Sequence, residues 1–295
     1  MRVLFVTFND YSNLCYNYSQ SLKSVGINSI ALTLSAHKFG YPQQSILTNR
    51  MNMIKQMRIA DLIIIGHSYS DLLQYIPKGK RIWVIHTGTP YRQNHEEKNR
   101  VFNPVVERTF TDSPEFMTLG AKNITYIAAA IDIDKIQYRP KQREKLIFAH
   151  YPSNPESKGT KHIQKIMRHY SVKFICDEKI LPHEKNLERI ADCDVYIEML
   201  NANQFGKPYG SFGVTAFEAA AMGKIVVTNS TNDNVYSSVY GSHPMQIANN
   251  GKEFQSVIQS LMNSNKISEM QKEHRDWIVT RHSLKATGEY LKKFL

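Results

Sequence analysis

The chain has 295 residues, 42% hydrophobic and 21% charged, which is room for two domains of about 150 residues and excludes a disordered or low-complexity protein. Its net charge of +11 and pI near 9.4 predict attraction for anions. No nucleic-acid fingerprint accompanies that charge, so the expected partners are anionic small molecules or a membrane-surface acceptor, or the excess is a general basic surface. The apolar runs, such as residues 3–8 and 62–65, fall far below the ~18 residues a membrane span needs. Three cysteines, Cys15, Cys176 and Cys193, lack metal-ligand spacing. Both features predict a cytoplasmic protein.

From the start, RVLFVTF, SIALTL, ADLIIIG, RIWVIH and ITYIAAAI alternate with helix-like stretches. Continuous Val/Ile/Leu runs between helices describe a parallel sheet covered on both faces. KLIFAH, VKFIC, DVYIEML and KIVVTN repeat the pattern in the second half. The expected class is therefore α/β, with two Rossmann-like doubly wound domains facing a cleft. The boundary is placed at YRPKQRE, giving domains 1–142 and 143–279; the tail from Ile267 to Leu295 reads as helical, with Ile278, Leu284, Tyr290 and Leu291 as apolar candidates, and its helix near 280–295 packs back on the first domain. Residues 1–145 carry 19 Lys/Arg against 11 Asp/Glu (+8) and the remainder 18 against 15 (+3), so the first half is the more basic.

Ligands of such sheets bind beyond the carboxyl ends of the strands. The segments to inspect are thus residues 9–13, 67, 86–92, 150–159, 177–181 and 201–218. Within the last lies PYGSFGVTAFEAAAMGK, a glycine-containing turn leading into a helix-forming run. Gly210 and Gly213 let backbone approach a ligand, and a helix starting near Gly213 or Val214 points unpaired amides at it. Such a terminus suits a diphosphate without a metal ion. Glu218, about a turn inside, is placed to accept hydrogen bonds from two ribose hydroxyls.

GSFGVTAFEAAAMGKIVVT resembles the signature of the GT-B glycosyltransferases of family 4, and the chain resembles a compact member of it. VIHTGTPYR, TDSPEF with YIAAAID, and HYPSNPESKGT resemble further elements of that family in its order along the chain. The resemblance implies a retaining, metal-independent hexosyltransferase with no cofactor. It moves a sugar from a nucleotide-sugar to a glycan or other hydroxyl acceptor, without a glycosyl-enzyme intermediate. Lys158 and Glu218 match the diphosphate and ribose contacts, and His86 matches a strand-end histidine that contacts the sugar. The donor site is then drawn from Ser153, Asn154, Lys158, Asp177, Glu178, Tyr209, Gly210, Ser211, Phe212, Gly213, Val214, Thr215 and Glu218. The first domain would hold the acceptor through Asn9, Asp10, Tyr11 and Arg92.

Asp177 and Glu178, after VKFIC, favour guanine through its N1–H and exocyclic amine, so GDP-mannose is preferred slightly over UDP-glucose. Two departures stand out. Gly210 occupies the place of the signature's first carboxylate, and the arginine that accompanies the lysine is absent, leaving Lys158 with most of the diphosphate charge. Lys224 stands near the usual proline and replaces nothing essential. The triplets Asp132-Ile133-Asp134 and Asp192-Cys193-Asp194 are read as structural rather than metal-binding. A sugar-nucleotide 2-epimerase and a degraded protein that only binds nucleotide-sugar remain the competing readings, and a homodimer stays open.

Overall fold

In the computed structural model, which describes residues 1–37, 40–141, 143–210 and 212–295, the long apolar runs become parallel strands. The first part of the chain forms β1 (Arg2–Thr7), α1 (Leu14–Ser24), β2 (Asn28–Thr33), β3 (Ile46–Leu47), α2 (Arg50–Ile59), β4 (Leu62–Ile65), β5 (Arg81–His86), α3 (Gly88–Phe102), β6 (Arg108–Thr111) and β7 (Ile124–Tyr126). These strands make one sheet in the order β3-β2-β1-β4-β5-β6-β7. Its registers are parallel throughout, Val3 pairing with Ser29 on one side and Leu62 on the other. Leu4, Val6, Ile63, Ile65 and Val84 pack with Met53 and Met57 of α2 and Phe102 of α3. Burial on both faces explains why these strands read as unbroken apolar runs. Strand order reverses between β1 and β4.

The second sheet has the order β14-β13-β10-β8-β9. This part of the chain runs β8 (Ile147–His150), α4 (Thr160–Met167), β9 (Lys173–Cys176), α5 (His183–Ala191), β10 (Val195–Ile197), β11 (Asn203–Gln204), β12 (Lys207–Pro208), α6 (Val214–Ala221), β13 (Ile225–Thr228), α7 (Asp233–Tyr240), β14 (Gln246–Ile247), α8 (Gly251–Met262) and α9 (Ile267–Arg281), with β11 and β12 pairing only with each other. Phe148, Val195, Ile197, Ile225 and Val227 form its core with Ile163 and Met167 of α4 and Phe254 and Ile258 of α8. Here the order reverses between β8 and β10. Both sheets are doubly wound α/β, as the sequence pattern requires.

Two compact units result: residues Met1–Asp132 with His282–Leu295, and Ile133–Arg281. The division falls at Asp132/Ile133 rather than near residue 142. ITYIAAAI is strand only at its start. Residues 127–131 are buried, and the Ile131 amide donates to His282 O at 2.7 Å. The tail is broken at His282–Ser283, where the Ser283 hydroxyl accepts from the Ala286 amide at 3.2 Å and starts α10 (Leu284–Lys292). Thus α9 belongs to the second unit and α10 to the first.

α10 docks through Gly288, where a Cβ would collide with the carbonyl of Ser21 in α1. Gly288→Ala is expected to destabilise the protein by about 1–3 kcal/mol through overpacking. Thermal unfolding reads this as a lowered Tm, and an unchanged Tm would show that the helix is not held there.

Four short elements carried no clear apolar signal: β3, β6, β14 and the β11–β12 hairpin. In the hairpin, Phe205 and Gly206 both have positive φ, 55° and 76°, the conformation of the tight turns that match strand twist. Among the described residues no helix is long and apolar enough to cross a membrane.

Candidate nucleotide-sugar site

The β8/β10 reversal in the second unit is where a doubly wound sheet leaves a crevice at its strand ends. The loop after β8 carries Lys158, and β10 runs directly into Glu198. Lys158 is only 9% exposed and Glu198 1%, and their Nζ and Oε1 are 2.5 Å apart. Burial pulls the Lys158 ammonium down, but the Glu198 charge, then Tyr209, outweigh it and raise its pKa.

Backbone bonds sew the two strand ends together. Leu200 N donates to Lys158 O at 3.1 Å and Asn203 N to Ser157 O at 3.1 Å. Gly159, at φ 70°, packs on the carbonyl of Leu200 so closely that a Cβ has no room. His150, at the end of β8, bridges Ile197 O and the Thr160 hydroxyl, each at 2.8 Å. Burial lowers its pKa to about 4, so it stays a neutral structural tie.

α6 begins at Val214 with Gly213 as its N-cap. The amides of Ala216 and Phe217 donate to Gly213 O at 3.0 and 3.3 Å, so by helix geometry it is the Val214 and Thr215 amides that have no partner within the helix. The Phe212 ring is turned into the protein interior. It is 7% exposed and packs edge-on against Tyr236 and His243, anchoring the turn. Gly210 is forced: a Cβ there would lie 2.9 Å from Asn229 O and 3.1 Å from Thr231 N. The Asn229 amide donates to Tyr209 O at 2.9 Å, fixing this loop from the end of β13. Ser211 lies outside the described residues.

Glu218, one turn into α6, is 4% exposed. Its Oε1 meets His183 Nε2 at 2.7 Å, while Oε2 is buried without a partner among the described residues. For His183, burial favours the neutral ring, but the Glu218 hydrogen bond and charge prevail and raise its pKa. Next to this loop, Asn201, Ala202, Asn203, Asn229, Ser230, Thr231 and Asn249 line a polar cavity of about 440 Å³. Ser153 and Asn154 are exposed, and the Asn154 carboxamide oxygen accepts from the Ser157 amide at 3.1 Å. Tyr209, Val214 and Thr215 are partly exposed. Asp177, after β9, is bound by Arg189 at 3.0 Å, while Glu178 is exposed.

Residues from the first unit are placed differently. Asp10 is buried and accepts the Cys15 and Tyr16 amides of α1 at 2.9 and 3.0 Å. It also contacts His67 Nε2 at 3.5 Å. Asn9 is buried against Ala36 O, and Tyr11 meets His67 edge-on, with ring centroids 5.4 Å apart. Arg92 pairs with Glu115 at 2.5 Å and lies over the Phe116 ring. His86 is fully buried, stacked on Tyr91 with centroids 3.9 Å apart, and burial lowers its pKa to about 3. It is therefore a packed neutral ring with no exposed face.

Lys224 has a role that spacing did not disclose: fully buried, it donates to Arg139 O and Ala191 O at 2.6 and 2.8 Å. In the second Asp-x-Asp triplet, Asp194 turns inward to the Ile147 amide at 2.8 Å, while Asp192 is exposed. The site residues that sequence reasoning missed are Glu198, His183, Tyr196 and Asn229. A carboxylate inside DVYIEML and an asparagine at the end of KIVVT were the available signals.

No protein-family model matches the chain, and no curated protein sequence matches it. Solved structures do. AviGT4, a glycosyltransferase involved in avilamycin A biosynthesis, superposes with TM-score 0.62 at 13% identity, covering 99% of this chain and 96% of its own. MurG of Acinetobacter baumannii superposes with TM-score 0.50 at 11% identity, covering 100% and 99%. The chain has the GT-B fold. At these identities the likeness defines architecture, and chemistry has to be argued from the GT-B site residues themselves.

Proposed function

We propose that this GT-B chain is a glycosyltransferase whose second unit holds a nucleotide-sugar donor at the α6 N-terminus and the Lys158 loop. One observation carries the reading: Glu218 is a buried carboxylate with one oxygen fixed by His183 and the other unpartnered, one turn behind a glycine N-cap. That oxygen suits a ribose hydroxyl, and the Val214 and Thr215 amides at the α6 N-terminus suit the diphosphate. Lys158 adds charge where the leaving group develops it.

The family 4 resemblance supports retention of configuration, a hexose donor and transfer to a glycan or other hydroxyl acceptor without an essential metal. The acceptor is assigned to the first unit, around Asn9, Asp10, Tyr11 and Arg92. Exposed Glu178 favours GDP-mannose over UDP-glucose. The decisive experiment is calorimetric titration of the whole chain against GDP- and UDP-sugars in EDTA, followed by turnover with and without acceptor. The expected result is metal-independent binding of one donor and release of NDP only with acceptor present. Activity lost in EDTA and restored only by Mg or Mn would refute metal independence. An altered sugar without acceptor would instead identify an epimerase.

A further inference from the structure

Glu198 has a second oxygen that the ion pair with Lys158 does not use. Oε1 meets Lys158, whereas Oε2 is buried with no hydrogen-bond partner among the described residues. The neighbouring Tyr196 hydroxyl does not supply one. Burial first, then the charge of Glu198 and a side-chain interaction with it, push that phenol far up, so it lies beside the carboxylate, yet among the described residues its oxygen has no partner in hydrogen-bond geometry. An unsatisfied carboxylate oxygen at this depth is costly and marks a position awaiting a donor.

Its location narrows the donor. Gly213, the N-cap of α6, lies over the carboxylate so closely that a Cβ would come 2.7 Å from Oε1. Glu198 therefore sits directly behind the turn whose amides face the diphosphate. Tyr196 also feels the charge of Glu218, the second carboxylate here with one oxygen unpartnered among the described residues. Position 210, in the same loop, has no room for a side chain of its own.

We propose that Glu198 contacts the donor sugar: Oε2 accepts a hydrogen bond from one hydroxyl of the transferred sugar while Oε1 holds the Lys158 ammonium in place. A polyhydroxylated ring supplies the neutral donor that Oε2 lacks. The adjoining diphosphate cannot, because it carries only acceptors and negative charge. This inference rests on the donor-site reading above.

The test compares NDP with NDP-sugar. In Glu198→Gln, whose shape is unchanged, the affinity ratio of NDP-sugar to NDP is expected to fall about tenfold or more, the size of a lost charge-assisted bond. A ratio unchanged within about twofold, whatever happens to both affinities together, would reduce Glu198 to a support for Lys158 and overturn the proposal. Wild-type protein titrated with singly deoxygenated donors gives an independent readout that needs no variant. One deoxy sugar should lose comparable affinity, and none doing so would likewise overturn it. Where Glu198→Gln folds, that deoxy sugar should lose nothing further in it. Wild-type protein that binds neither NDP nor NDP-sugar would remove the donor-site reading, and this inference with it.

Discussion

Lys158→Ala is expected to destabilise the second unit by about 3–5 kcal/mol, because it leaves the Glu198 carboxylate buried without its cation. In the same variant transfer should slow by more than tenfold, since a charge-assisted contact to the diphosphate is worth roughly 1.5–3 kcal/mol. The two effects separate in a pair of variants. Lys158→Met combined with Glu198→Gln removes both charges from the interior and should recover much of the stability, yet remain slow in transfer. Denaturant melts and initial rates read these outcomes. A single Lys158→Ala variant as stable as the wild type would show that the ion pair is not buried as described. The sign of the pH dependence follows from the raised Lys158 pKa. The pair's contribution is fully present below the unfolded lysine value of 10.5 and is lost only as pH rises through the folded one.

Glu218→Gln should weaken NDP binding by about tenfold or more, through the charged acceptor for the ribose, and should change how stability depends on pH. His183 has a raised folded pKa because of Glu218. Its protonated form therefore stabilises the native state fully below the unfolded value of 6.5, and that stabilisation fades as pH rises through the folded value. Wild type and variant should differ most below that lower limit and approach one another at alkaline pH. A difference that does not vary with pH would mean that His183 is neutral at Glu218 throughout. Nucleotide affinity unchanged in the variant would remove Glu218 from the ribose.

The α/β pattern was legible because buried parallel strands leave continuous apolar runs, as in RVLFVTF and KIVVTN, and their periodicity survives any ligand. The glycine turn, the helix that follows it and Glu218 were legible for the same local reason. A helix start and a positive-φ or close-approach glycine are properties of a few consecutive residues.

What sequence could not decide was which side chains meet. Glu198 lies 40 residues from Lys158 along the chain, and only the adjacency of β8 and β10 brings them to 2.5 Å. His183 reaches Glu218 across 35 residues by the same folding of one sheet. His86 reads as a strand-end ligand, yet its stacking on Tyr91 and its burial are consequences of how α3 returns over β5. Lys224 reads as replacing nothing essential, but the carbonyls of Arg139 and Ala191 enclose it. Gly210 read as a missing carboxylate. Asn229 and Thr231, arriving from the end of β13, make it a position where no carboxylate fits. Local periodicity and backbone preference thus fixed the elements and the α6 turn, while long-range packing decided which charges are buried, paired or left with an oxygen unsatisfied.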